Sequence, residues 1–451
     1  MEVSMGNTPA LCGGSGVSTR QARIAELAHQ LSQTGLDNIH PFMDLAWLTE
    51  AYHCTRKDGA PGIDGVTWAE YGDNLASNLA SLLSRAKSGT YRAPPVKRAH
   101  IPKGDGETRP IGIPTLEDRV LQRAVVMLLE PIVEREFLDC SYGYRPGRSA
   151  HQAVARIWKG IMDEGTTWVV DIDIRKFFDT INHGHLRTMV RKRVRDGVVT
   201  RLIDKWLSAG VMENGAWHDA EAGTPQGGVI SPMLANLYLH DVLDTWMAEV
   251  VPPYLKGRVF LVRYADDVII GCERKEDADM LLTVLPKRLG KYGLALHPDK
   301  TRLIRFGRPV GRDGNDRDGK PPETFDFLGF CHYWGRSRKG PWVVMRKTAK
   351  SRLARAISRI GEWCEKHRRL PIREQHKALC AKVRGHNAYF GITGNYRSLG
   401  LFVRGVAGRW RFWLNRRGND VSFTFEKLDK LLEWLPLPRP SVVQSVYKAK
   451  P

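Results

Sequence analysis

No Cys-x-x-Cys pair occurs in this chain, and no apolar run reaches the roughly eighteen residues that a membrane-spanning helix needs. The first absence removes the usual zinc and dithiol signatures. The seven cysteines, Cys12, Cys54, Cys140, Cys272, Cys331, Cys364 and Cys380, are scattered, so neither a structural metal nor a disulfide framework is expected. The second absence, with a polar, Gly-rich start that lacks an apolar signal core, points to a soluble intracellular protein with no membrane partner. Internal repeats are lacking and low complexity is slight, which excludes solenoids and fibres. Negative charge is scarce: 49 Asp and Glu face 69 Lys and Arg, a net +20. What remains is 451 residues of ordinary globular composition, 42% hydrophobic and 26% charged, enough at roughly 100–200 residues per domain for two to four packed units.

The charge is uneven. Residues 346–451 carry 24 Lys and Arg against 7 Asp and Glu, so +17 of the +20 lies in the last 106 residues. That segment also holds Trp363, Tyr389, Phe390, Tyr396, Phe402, Trp410, Phe412 and Trp413, which a disordered basic tail would lack. Cations for phosphates and rings for unpaired bases suit a folded nucleic-acid surface.

The pattern reads as an α/β catalytic region followed by a basic helical one. Helical spacing recurs over residues 21–33, 44–53, 68–87, 116–137, 150–161, 187–208 and 276–292, and over 233–250 after Ser231 as N-cap and Pro232. Residues 98–112 read as a hairpin around Gly104-Asp105-Gly106. Residues 168–174 and 301–306 read as strands, and 259–272 as strand, turn, strand. Residues 307–320 read as a flexible loop, and 336–340 as the boundary before the basic region.

Two sets of acids carry the chemistry. In Val262-Arg263-Tyr264-Ala265-Asp266-Asp267-Val268-Ile269-Ile270, Asp266 and Asp267 interrupt an apolar hairpin. Carboxylates desolvated there persist if paired or bound to a cation; the alternative is a turn whose acids face water. In Trp168-Val169-Val170-Asp171-Ile172-Asp173-Ile174, two-residue alternation puts Asp171 and Asp173 on one face. If the two strands lie side by side, their carboxylates make an oxygen-ligand site for Mg²⁺, and two such ions would serve a nucleotidyl transfer. A third element, Gly223-Thr224-Pro225-Gln226-Gly227-Gly228-Val229-Ile230-Ser231-Pro232, is a loop without bulk at its centre, open to close approach by a nucleotide or another backbone.

In this ordered set the chain resembles bacterial group II intron-encoded reverse transcriptases, or maturases, over about residues 48–435. Tyr264-Ala265-Asp266-Asp267 resembles the family's catalytic box, and Asp173-Ile174-Arg175-Lys176-Phe177-Phe178-Asp179 its first catalytic strand. The family's N-terminal block is matched by Asp64-Gly65-Val66-Thr67, its fingers hairpin by Ile101-Pro102-Lys103 through Arg109-Pro110-Ile111-Gly112-Ile113-Pro114, and its template segment by Ser141-Tyr142-Gly143-Tyr144-Arg145-Pro146-Gly147-Arg148-Ser149. Leu296-His297-Pro298-Asp299-Lys300-Thr301 and Phe327-Leu328-Gly329-Phe330 resemble later palm motifs.

The resemblance implies an α/β right-hand polymerase with an α-helical thumb. Its parts are an N-terminal extension (1–45), fingers (46–165), a palm (166–335) whose antiparallel sheet is backed by helices, and a thumb or maturase domain (336–451). It implies Asp173 and Asp266 as ligands of two Mg²⁺ ions, with Asp267 in support and Mn²⁺ as a substitute. Lys300 becomes a proton donor to pyrophosphate or merely an ion-pair partner. Lys103 and Arg109 neutralise the triphosphate or stay solvated. Gln226 hydrogen-bonds near the nucleotide. Phe178 excludes a 2′-hydroxyl, with Phe177 the core member. Arg145 and Arg148 contact template phosphates or pair with acids at a seam, and Arg384, Tyr389, Arg409, Arg416 and Arg417 grip RNA.

The expected partners are intron RNA, an RNA template with a DNA primer, dNTPs and target DNA, in a bacterial cytoplasmic ribonucleoprotein, as monomer or dimer. Lack of an H-N-H endonuclease implies retrohoming primed from nascent replication strands. A domesticated free-standing reverse transcriptase, used in defence, spacer acquisition or repair, would keep the same residues. A non-catalytic RNA chaperone would not need all three acids.

Overall fold

The computed structural model describes residues 15–31, 34–104, 107–213, 216–218, 227–311, 314–316, 319–417 and 423–445. The chain clusters into two compact units. One comprises Met1–Ala153, Val170–Ile270 and Glu276–Arg302; the other comprises Val154–Val169, Gly271–Lys275 and Leu303–Pro451.

In the first unit the helix Leu116–Val133 is buried on nearly every face, and Trp47 of the helix Leu45–His53 donates its indole N–H to the Ala124 carbonyl. Thr67 and Glu70 cap the helix Trp68–Asp73 reciprocally, satisfying amides that the first helical turn leaves open. The hairpin expected around residues 104–106 is present: β1 (Val96–Gly104) pairs antiparallel with β2 (Glu107–Ile113). With β4 (Val211–Glu213) and β5 (Ala216–His218) they form a sheet in the order β2-β1-β4-β5.

Two expectations for this unit change. Residues 187–208 are two helices, His183–Arg193 and Gly197–Leu207, because Asp196 leaves the helical path to cap the second, accepting from the Val198 and Val199 amides. Its other oxygen accepts from the Ile39 and His40 amides. Ser231 is inside its helix rather than the N-cap; the helix Ser231–Leu239 follows Ile230 and continues as π-helical turns, His240–Asp244 and Trp246–Val250. Among the described residues Cys140, Cys272, Cys331, Cys364 and Cys380 are unbridged.

Strands β3 (Trp168–Ile172), β6 (Val259–Tyr264), β7 (Asp267–Cys272) and β8 (Arg302–Arg305) form the remaining large sheet, in the order β6-β7-β3-β8. Strand β8 leads the chain into the second unit. There β9 (Phe325–Phe327), β10 (Phe330–Arg336) and β11 (Trp342–Thr348) form a sheet in the order β11-β10-β9, so the boundary expected at 336–340 is the turn of a hairpin. In the segment 307–320 Asp316 is buried and takes a hydrogen bond from Arg305.

The helices Lys350–Lys366, Ile372–Phe390, Tyr396–Leu414 and Phe425–Trp434 follow. Their core contains Phe402 and Trp410, and the Trp410 indole donates to Gln375 Oε1 at 2.9 Å. These two rings, counted in the sequence among aromatics available to bases, are packing residues. Among the described residues no helix is long and apolar enough to cross a membrane.

Candidate active site

The geometry begins at the far end of two strands. The Thr167 amide donates to the Cys272 carbonyl at 3.0 Å, joining the residue before β3 to the last of β7. Neighbouring strands linked start to finish run antiparallel. Strand β3 ends at Ile172 and β7 begins at Asp267, so Asp173 and Asp266 fall at the same end of these two neighbouring strands.

Asp173 is further fixed by the segment that follows the helix Lys275–Gly290. The His297 amide donates to its carbonyl at 2.8 Å, the Arg175 amide donates to Ala295, and Ile174 bridges Leu296 antiparallel. That pairing brings Lys300 Nζ to 3.9 Å from Asp173 Oδ2, whereas Asp171 is engaged by Arg302 at 2.9 Å. The sequence reading had Lys300 beside Asp299; the backbone pairing gives it Asp173 instead.

These acids are not buried against the core: Asp267 is exposed and the Asp173 side chain is 42% exposed. Nor do three acids close into a cage; among the described residues no three His, Cys, Asp or Glu side chains are grouped to hold an ion by themselves. Hard carboxylate oxygens at the ends of neighbouring strands, open to water, nevertheless fit Mg²⁺, which takes few protein ligands and fills its shell with water and phosphate.

The turn carrying Asp266 is held from beneath by groups the sequence reading passed over. Ala265 has φ +56°, a left-handed conformation costly for a residue with a Cβ. Its carbonyl accepts from Arg263 Nη1 at 3.1 Å. Arg263 is fully buried, clasped by both oxygens of Asp244 at 2.8 and 2.6 Å and by Asn236 Oδ1 at 2.8 Å. Burial opposes its charge, but the Asp244 carboxylate outweighs this and holds its pKa above the ordinary value. Asn236 in turn donates to the Gly143 carbonyl at 2.6 Å. The chain around Gly143 runs alongside β6, with Tyr142 N donating to Arg263 O and Arg263 N to Cys140 O. A Cβ on Gly143 would lie 2.5 Å from the Ala265 nitrogen, so glycine is required for this approach. The available sequence signal was an arginine inside an apolar strand.

Phe177 is buried and Phe178 half-buried, their rings edge to face at 5.3 Å. Lys103 and Arg109 fall on β1 and β2, but their side chains, and all of Gln226, lie outside the described residues.

Arg145 corrects an expectation. It is 3% exposed, and its guanidinium is spent on Glu134 and on the carbonyls of Phe137, Leu138 and Ser141, so it pairs internally and does not reach a template. Arg148 pairs with exposed Asp139 near the surface. In the second unit Arg384 and Arg409 are exposed. The half-buried Tyr389 donates its hydroxyl to the Leu328 carbonyl, and exposed Arg417 donates one nitrogen to the carbonyls of Arg369 and Leu370. Arg416 is exposed, with its guanidinium over the Phe412 ring.

Residues 101–332 match the family model described as reverse transcriptase (RNA-dependent DNA polymerase). The chain is 41% identical over 395 residues to the group II intron-encoded protein LtrA of Lactococcus lactis subsp. cremoris, covering 72% of this chain and 65% of that one. It is 41% identical over 218 residues to protein YkfC of Escherichia coli K12, covering 47% of this chain and 56% of that one. Nuclear intron maturase 2 of Arabidopsis thaliana is 28% identical over 235 residues, 43% of this chain and 30% of its own. The chain therefore spans less than two thirds of the length of these relatives.

Proposed function

The chain belongs to the reverse transcriptase family of RNA-dependent DNA polymerases, and on that premise we propose that it copies RNA into DNA as a group II intron-encoded protein. In this reading it also binds its intron RNA to assist splicing, and target DNA during retrohoming. The observation that carries the polymerase reading is that β3 and β7 are neighbours in one sheet, with Asp173 following the one and Asp266 preceding the other. The intron reading is supported by the likeness to LtrA along most of the chain.

Residues 46–165 serve as fingers, 166–335 as palm and 336–451 as thumb. Asp173 and Asp266 hold the divalent ions, with Asp267 beside them. When bound, a pair of Mg²⁺ ions supplies activation of the primer 3′-hydroxyl and neutralisation of the leaving pyrophosphate. The 3′-hydroxyl gives up its proton to water as its oxygen attacks the α-phosphorus of a dNTP, the bond to the bridging oxygen breaks, and pyrophosphate departs. Lys300, already at Asp173, gives the leaving group a proton. Lys103 and Arg109 offset the triphosphate charge, Gln226 contacts the nucleotide, and Phe178 crowds the position a 2′-hydroxyl would take. Arg148 steadies the template; Arg384, Arg409 and Arg416 hold RNA phosphates. Primer extension on an RNA template with dNTPs and Mg²⁺ tests the reading: wild type extends and Asp266→Ala does not. Equal extension by both proteins removes the assignment.

A further inference from the structure

Asp118, on the helix Leu116–Val133, is 2% exposed and surrounded by neutral donors. Its Oδ1 accepts from the Tyr91 hydroxyl at 2.5 Å and the Trp206 indole N–H at 2.6 Å; its Oδ2 accepts from Gln122 Nε2 at 3.0 Å. One turn along the same helix, Gln122 is 4% exposed, and its Oε1 accepts the Val229 amide at 2.7 Å and the Ile230 amide at 3.3 Å. Val229 and Ile230 follow the Gly-rich loop directly and lead into the helix Ser231–Leu239. On the loop side, Gly227 has φ +118°, and a Cβ there would run into the Gly112 carbonyl oxygen.

A glutamine amide has one accepting and one donating end of nearly equal shape, and its surroundings decide which faces where. A carboxylate offers acceptors alone, so it draws the Nε2 end and turns Oε1 towards the two backbone N–H groups. Burial pushes the Asp118 carboxyl up to about 6, which leaves it ionised at the alkaline pH of a polymerase assay.

We propose that Asp118 and Gln122 are positioning residues that, through this one-way chain of hydrogen bonds, hold Val229 and Ile230 at the entry to the helix Ser231–Leu239 and thereby set the affinity for the incoming nucleotide. The proposal rests on the polymerase reading above. Neither residue touches the reacting atoms.

The polarity of the chain supplies its test. In Asp118→Asn the new amide places a donor against Gln122 Nε2; in Gln122→Glu two carboxylates face each other. The double variant Asp118→Asn/Gln122→Glu restores every bond. The amide introduced at position 118 donates to the carboxylate introduced at position 122, which still accepts from the Val229 and Ile230 amides.

Single-nucleotide incorporation on an RNA template, with thermal unfolding in parallel, reads the result. Each single variant is expected to lower kcat/KM for dNTP about tenfold, chiefly through KM, and the double variant to return to within about threefold of wild type. Single variants with wild-type nucleotide kinetics overturn the proposal, as does a double variant that is no better than the worse single one or that does not fold. A wild-type protein that extends no primer removes the polymerase reading and this proposal together. Extension by wild type that the single variants match removes this proposal alone.

Discussion

Arg263 lies wholly inside the protein, yet one of its N–H groups ends on the carbonyl of Ala265, the residue immediately before Asp266. The side chain thus ties a buried ion pair to the turn that carries Asp266, the acid proposed above to hold a divalent ion. Arg263→Met leaves Asp244 buried without its counter-ion and is expected to cost about 3–5 kcal/mol in unfolding free energy. Arg263→Met/Asp244→Leu should recover most of that stability but not primer extension, because the Ala265 carbonyl still lacks its donor. Full activity in the stable double variant would show that the tie does not matter to the turn.

Gly143→Ala addresses the same turn from the neighbouring backbone. The added methyl would meet the Ala265 nitrogen at 2.5 Å and the Tyr264 carbonyl carbon at 3.0 Å, and backbone cannot swing aside as a flexible side chain can. Loss of primer extension is expected with a fall of about 1–3 kcal/mol in stability, the range for overpacking. Unchanged extension would mean that the two segments separate more readily than their contacts indicate.

Phe177 and Phe178 should divide along lines of burial. Phe177→Ala empties a core position and is expected to lose about 3–5 kcal/mol. Phe178→Ala should cost less and instead let ribonucleotides be incorporated, measured as the ratio of NTP to dNTP kcat/KM. A ratio that stays at the wild-type value in Phe178→Ala removes the steric role.

Acid should weaken the second unit through His332. Its ring is buried and stacked on Phe325 at 4.6 Å; burial, helped by the nearby Arg346 charge, pushes its pKa from 6.5 down to about 3. Because the unfolded chain binds this proton more readily, stability is complete above about pH 6.5 and declines progressively as pH falls towards 3. His332→Phe keeps a flat ring against Phe325 and should flatten the fall in melting temperature between pH 7 and pH 4. An identical pH slope in the variant would assign acid sensitivity elsewhere.

RNA binding should separate exposed from internal arginines. Arg384→Ala and Arg409→Ala are each expected to reduce the slope of log affinity against log salt by about one, in filter binding with intron RNA. Arg145→Ala should leave that slope unchanged and lower the melting temperature, since its donors serve Glu134 and three carbonyls. A reduced slope from Arg145→Ala would contradict its internal role.

Local patterns recovered what local forces determine. Alternation in residues 168–174 and the two acids at 266–267 were readable because strand periodicity and interrupted apolar runs are visible in one dimension. Aromatic count misled at Phe402 and Trp410, since a ring beside arginines has the same composition whether it faces solvent or core. The break at Asp196 was missed because capping depends on where the chain turns, which helical spacing on either side does not reveal. Arg145 resembled a phosphate ligand until Glu134, eleven residues away, was seen to take its charge. The chain Asp118, Gln122, Val229 is a tertiary relation between segments 107 residues apart, and no spacing rule announces it.

Asp196 divides its two oxygens between partners far apart in sequence: one serves the start of the helix Gly197–Leu207, and the other serves Ile39 and His40, the former 157 residues away. The donors are backbone amides, so what joins the two stretches is the Asp196 carboxylate itself. A chimaera that borrowed residues 183–207 from a relative without that acid would assemble with the amides of Ile39 and His40 orphaned.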